Sequence, residues 1–300
     1  MIDRISQILN ARWLISQEVV YNYFPAFLAL MNGQKFDFMA AEKERQKPYL
    51  LTVESGIMHR ADNGDIKDGN QTPENSICII PIQGEILAWR TMELVKSIED
   101  AENNPNIIAI IFLVNSPGGM VFYTDIAAKC IKDLEKPSVA FVMNMAASAA
   151  MWLISGTDRI ICSSPLDRIG SIGTMASVMD MAGFLKKKLG IDVFEIYADK
   201  STNKNMEIRT LLDESLSLEE RTALIREDLN YVNEYFHKAI QDNLSIDPAS
   251  DVFTGKIFNA TQAIDKGLAH EINTFEYAVT LANQMGIKYQ INKFINLNNY

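Results

Sequence analysis

Cysteine and histidine are both scarce, three of each in 300 residues. Cys78, Cys130 and Cys162 are odd in number and far apart. They offer neither a disulfide framework nor metal-ligand spacing, and they fit a reducing compartment. Cys78 and Cys162 fall in apolar, strand-like runs, where a thiol serves as a small hydrophobe. His59, His237 and His270 form no HExxH and no local cluster, so zinc-peptidase chemistry lacks its ligands. Basic charge is short as well: 28 Lys+Arg against 38 Asp+Glu give a net charge of −10. The cations are scattered apart from Lys186, Lys187 and Lys188 at a helix end, which argues against nucleic acid as a partner. The run VVYNYFPAFLALM (19–31) is too short to span a membrane and is broken by Asn22 and Pro25. The first residues, MIDRISQILN, carry an acid at position 3 and no uninterrupted apolar core, so no signal peptide is read there. A GxxxxGK[ST] loop, internal repeats and low-complexity tracts are also missing. These absences predict a soluble, cytoplasmic protein that needs no metal and no cofactor.

What is present alternates between strand and helix patterns. Residues 1–34 have helical periodicity through Ile5, Ile8, Leu9, Trp13, Leu14, Val19 and Val20. Residues 35–60 are weakly patterned, and ADNGDIKDGNQTPEN (61–75) reads as a polar linker. The expected organisation is an N-terminal helical extension and linker (1–75), a main domain (76–275) and a tail (276–300). In the main domain, strands are expected at 76–82, 107–114, 138–143, 159–162, 174–179 and 191–197. Helices are expected at 91–102, 123–134, 148–155 and 181–189. The continuous apolar run IIAIIFLV (107–114) marks a sheet strand covered on both faces. Strand–helix units of roughly 30 residues predict an α/β domain with a largely parallel sheet. Ser217–Glu220 and Asn259–Gln262 are capping boxes, the first opening an amphipathic helix to about Asp242.

In such sheets, sites lie beyond the carboxyl ends of strands. Two stretches fall there. NSPGG (115–119) has a Pro-prepared turn and paired glycines, which allow positive φ and close backbone approach, as an oxyanion hole requires. NMAASAAMW (144–152) places Ser148 at a helix start among small residues, suited to a nucleophile or to a plain N-cap. Ser116 is a rival nucleophile, but it precedes proline and opens no helix. A serine hydroxyl needs a base. His237 reads as a helix residue, and His270 stays open. The alternative is a lysine, Lys200 or Lys204 in ADKSTNKN, kept neutral by desolvation.

Five segments in order carry a resemblance: NSPGG (115–119), KPSVAFVMNMAASAAMWLISGTDRIICSS (136–164), RIGSIGT (168–174), LKKKLGIDV (185–193) and FNATQAIDKGLAHEI (258–272). Together they resemble the signal peptide peptidase A (protease IV) family of serine–lysine peptidases. Within it, the chain looks most like the short soluble branch, the bacteriophage head maturation proteases. The resemblance implies a Clp protease/crotonase-like spiral of mixed, largely parallel sheet with outer helices. It implies Ser148 as nucleophile, Gly118 and Gly119 at the oxyanion loop, and a general-base lysine after the 191–197 strand. The family's Ser-Gly-x-Tyr-Lys pattern is replaced here by ADKSTNKNMEIR; Lys204, by its Lys-Asn pair and the downstream Arg209, fits the base position best, and Lys200 is the runner-up. Ser171 would help to position the amine, and His270 falls at a structural position.

The function implied is an endopeptidase that processes scaffold or capsid proteins during phage head assembly, in the host cytoplasm or the procapsid. Its partners would be peptide and protein substrates, further copies of itself, and capsid or scaffold proteins met through the N-terminal region. The rivals are a bacterial cytosolic peptidase of the same family, a non-catalytic assembly protein on the same fold, and a crotonase-type acyl-CoA enzyme.

Overall fold

The computed structural model describes residues 13–14, 47–61, 66–178 and 180–298. Among these residues a nine-stranded sheet forms the centre. Its centre is three parallel strands, β4 (Ser76–Gln83), β5 (Ile107–Ser116) and β7 (Ser138–Ala147). On one side an antiparallel hairpin, β2 (Tyr49–Glu54) and β3 (Ile57–Ala61), pairs with β4. The hairpin lies in the weakly patterned 35–60 region, upstream of the expected linker. On the other side β7 forks. Its first half pairs with β8 (Arg159–Cys162), which pairs in turn with β11 (Glu271–Ile272). Its last residues pair with β9 (Arg168–Gly170), and β9 pairs with β10 (Ile257–Asn259). The expected mixed, largely parallel sheet with outer helices is therefore present.

The alternation of side chains on the central strands builds two cores. Cys78, Ile80, Ile82, Phe112, Val114, Ala140 and Val142 face one way. They are covered by α1 (Ala88–Asn103), α2 (Thr124–Lys132), α3 (Ala149–Ile154) and α7 (Ala260–Asp265). Ile77, Ile79, Ala109, Ile111, Val139 and Phe141 face the other way, onto Ala278, Val279 and Ala282 of α8 (Phe275–Asn298). That helix comes so close that a Cβ on Gly286 would stand 2.9 Å from the Ile108 carbonyl. The two covered faces explain why 107–114 is apolar without a break. Burial raises the thiols of Cys78 and Cys162 to about 12, so they pack and do not react.

A buried carboxylate ties the fork of the sheet together. Asp167, 3 % exposed, accepts from the Asn144 amide (2.8 Å), the Ser163 amide (2.7 Å) and the Ser164 amide (3.0 Å). One carboxylate thus ties the turn before β9 to β7, beside Asn144 at φ 75°. Both capping boxes form, at α6 (Leu218–Leu244) and at α7.

Several expectations need correction. The helix expected at 91–102 starts at Ala88, so Thr91 is no cap; it bonds back to the Leu87 carbonyl inside the first turn. The described residues of 174–179 make no strand. The apolar stretch 191–197 makes none either: it follows α4 (Met181–Leu189) without joining any ladder. The polar 198–216 region contains a short helix, α5 (Met206–Leu212). Trp13 and Leu14, expected in a helix, form a two-residue strand β1 against β6 (Gly119–Met120). The rest of the 1–34 helical expectation lies outside the described residues.

Candidate active site

The site is set by register at the carboxyl ends of β5 and β7. Ser116 lies opposite Ala146. Gly118 follows two residues after Ser116 on one chain, and Ser148 two residues after Ala146 on the other, both beyond the same end of the sheet. Ser148 stands before the first residue of α3 with φ 56° and ψ −121°. A non-glycine residue holds that conformation at a cost of about 1–3 kcal/mol, and only where its surroundings over-determine it. Here they do: the Ser148 amide donates to the Gly170 carbonyl (2.8 Å) and its carbonyl accepts from Trp152 (3.0 Å). Ala146, Ala147, Ala149 and Ala150 are buried around it, and Trp152 stacks on Phe236 at 4.9 Å. The Ser148 side chain makes no capping bond to its own helix. The plain N-cap alternative therefore loses its defining contact.

The Pro-Gly-Gly loop divides its two glycines between different tasks. Gly118 has φ 98°, and its amide is taken by Ser116 Oγ at 3.2 Å. Ser116 is itself wholly buried, so the rival nucleophile is a loop brace. Gly119 lies against Ile86, where a Cβ would stand 1.9 Å from the Ile86 carbonyl oxygen. Glycine is required there by contact rather than by φ.

The second glycine loop brings Ser171 to the same place. Ser171, at φ 54°, donates its amide to the Lys256 carbonyl at 2.6 Å. Ser148 and Ser171 line a cleft of about 440 Å³ with Thr174, Arg226, Leu229, Asn233 and Phe253. The α6 helix supplies one wall, tied down by Thr174 Oγ1 donating to the Leu229 carbonyl at 2.9 Å. Asn233 Oδ1 is buried there with no hydrogen-bond partner among the described residues. Sequence reading missed this acceptor, because an asparagine in a long amphipathic helix carries no local signal.

The lysines are placed differently. Neither Lys200 nor Lys204 lines the cleft. Both are exposed on the turn before α5, where the Lys204 amide donates to Ser201. The stretch before them leaves Phe194 83 % and Ile196 93 % exposed. The histidines do not replace the lysines. His270 is tied to β8, its Nδ1 accepting from the Ile160 amide at 2.9 Å. His237 packs on Phe253, which lines the cleft, and burial lowers its pKa, which favours the neutral ring. No group of His, Cys, Asp and Glu able to hold a metal occurs among the described residues. None of their helices is long and apolar enough to cross a membrane.

Comparison with known proteins adds the lineage. The model of peptidase family S49 matches residues 131–288, more than half of the chain. A putative protease of Methanocaldococcus jannaschii is 29% identical over 193 residues, covering 64% of this chain and 60% of that protein. A putative signal peptide peptidase of Enterococcus faecium is 24% identical over 197 residues, covering 64% and 55%. Capsid assembly protease C of Escherichia phage lambda is 26% identical over 253 residues, covering 77% and 55%. The chain thus matches little more than half the length of these relatives. Among solved structures, a point mutant of ClpP1 from Listeria monocytogenes has a TM-score of 0.41 and 14% identity, covering 65% of this chain and 91% of that one.

Proposed function

The chain belongs to peptidase family S49, and from that premise we propose that it is a serine endopeptidase with Ser148 as its nucleophile. The observation that carries this reading is the held, non-helical conformation of Ser148, uncapped at a cleft beside a glycine loop. Ser148 Oγ attacks a peptide carbonyl. The oxyanion is held by the Gly119 amide and by the Ala149 amide, which as the first of α3 has no intrahelical acceptor. Gly118 shapes the loop and donates inward. The base is Lys204, with Lys200 as runner-up. It takes the serine proton and returns it to the leaving amine, and water then hydrolyses the acyl-enzyme. Ser171 orients the amine, and Asn233 Oδ1 accepts from the substrate backbone.

Since neither lysine lines the cleft of its own chain, the base comes from a second copy of the protein. The exposed 191–197 stretch supports this. Its exposed Phe194 and Ile196, two residues apart, suit one face of a strand, and it lacks a partner ladder within the described residues. Docking that stretch on a neighbour would carry the lysine turn with it. The small residues around Ser148 favour small or apolar substrate side chains next to the cut.

The likeness to a phage capsid assembly protease over 77% of the chain favours scaffold and head proteins as substrates, inside a procapsid or the host cytoplasm. The likeness to a putative archaeal protease favours a second reading, a cellular peptidase on the same site. Casein hydrolysis and labelling by a fluorophosphonate test the reading. Wild type should do both, and Ser148→Ala neither. Full casein hydrolysis by Ser148→Ala would refute it.

A further inference from the structure

We propose that Trp13–Leu14 occupies the oxyanion loop as a substrate strand does, and that the peptide bond after Leu14 is a self-cleavage site. The proposal rests on the serine-peptidase reading and gives it a first substrate, the chain's own N-terminal segment.

The placement follows from strand geometry. One edge of β6 is spent on Ile86: the Ile86 amide donates to the Gly118 carbonyl (2.8 Å), and the Met120 amide donates to the Ile86 carbonyl (2.7 Å). Successive backbone groups alternate in direction along a strand, so the amide and carbonyl of Gly119 face the opposite edge. Antiparallel β1 lies on that edge, with Leu14 opposite Gly119 and Trp13 opposite Met120. Directly opposed residues whose polar groups face one another exchange both hydrogen bonds. The Leu14 carbonyl is therefore the group set against the Gly119 amide.

That amide is the oxyanion donor in the proposed function, and the register that sets Ser116 opposite Ala146 carries the glycine loop and Ser148 off the same end of neighbouring strands. A carbonyl held by an oxyanion donor next to a nucleophile is the carbonyl due to be attacked. Main-chain pairing supplies the affinity when an extended peptide adds to a strand edge.

The step balances without any further reagent. A bond forms between Ser148 Oγ and the Leu14 carbonyl carbon, and the Leu14–Ile15 C–N bond breaks. The serine proton passes through the lysine to the new Ile15 amine, and water releases residues 1–14 from the ester. Pairing at this edge also means that an uncut segment competes with any other substrate.

Intact mass and N-terminal sequencing of the full-length protein during incubation test the proposal. Wild type should lose residues 1–14 and begin at Ile15, and Ser148→Ala should keep Met1. Leu14→Pro removes the amide that pairs with Gly119, so it should slow the cut at least about tenfold while the variant still hydrolyses casein. In the Ser148→Ala background, Leu14→Pro should speed hydrogen exchange at the Gly119 amide by about tenfold or more. Casein hydrolysis by a wild type whose N-terminus stays at Met1 overturns the proposal and leaves the peptidase reading standing. Absence of both casein hydrolysis and Ser148 labelling defeats the peptidase reading, and self-cleavage with it.

Discussion

The floor of the cleft and the arm beyond it are built by opposite rules. From Ala146 to Ser155 every residue is buried, and the turns at the site are held by backbone bonds or a buried side chain. From Ile191 to Asp213 it is exposed, with a seven-residue helix that buries no residue and apolar side chains turned to solvent. The nucleophile and its oxyanion donors need fixed positions before substrate arrives, and an enclosed floor gives them that. A base delivered by association needs an exposed arm, because the surface that docks cannot already be covered. On the proposed function, the difference between the two regions divides one chemical site between what a single chain completes and what it offers to a neighbour.

The comparison can be broken at either end. The largest effect belongs to the floor: Ser148→Ala should cost at least about 10⁴-fold in casein hydrolysis with little change in Tm. Gly119→Ala should follow. Its Cβ would meet the Ile86 carbonyl at 1.9 Å, so the loop must move, and a loss of about 10²–10³-fold in kcat/KM is expected as the donor is displaced. Retained activity in that variant would place the oxyanion elsewhere. In the arm, Phe194→Asp with Ile196→Asp should leave Tm nearly unchanged, because the side chains are exposed. The same pair should move sedimentation toward the monomer and lower activity about tenfold or more at dilute protein. An unchanged oligomer and unchanged activity would show that the arm docks on nothing.

The parts of the molecule that could be read from sequence are those decided locally. The apolar run of β5 announces its two covered faces, the two capping boxes announce the starts of α6 and α7, and Ser148 follows β7 at a helix start as expected. Thr91 misled because threonine suits a cap and equally a first-turn bond to the carbonyl four residues back. The 191–197 stretch misled for a deeper reason. Alternating apolar residues record an affinity for a ladder and a covered face, not whether the partner is in the same chain. Trp13 and Leu14 carry a helical pattern and are nonetheless a strand, because the free edge of Gly119 offers pairing that periodicity cannot see. For Trp13 and Leu14 the deciding partner is remote in the chain.

Subunit complementation tests the divided site most directly. Ser148→Ala and Lys204→Ala, each inactive alone, should regain casein hydrolysis when mixed and allowed to exchange subunits, to roughly a quarter of wild type if copies pair at random. Lys200→Ala should behave like wild type. A mixture that stays inactive, although subunit exchange is demonstrated, would contradict a base supplied by a second copy.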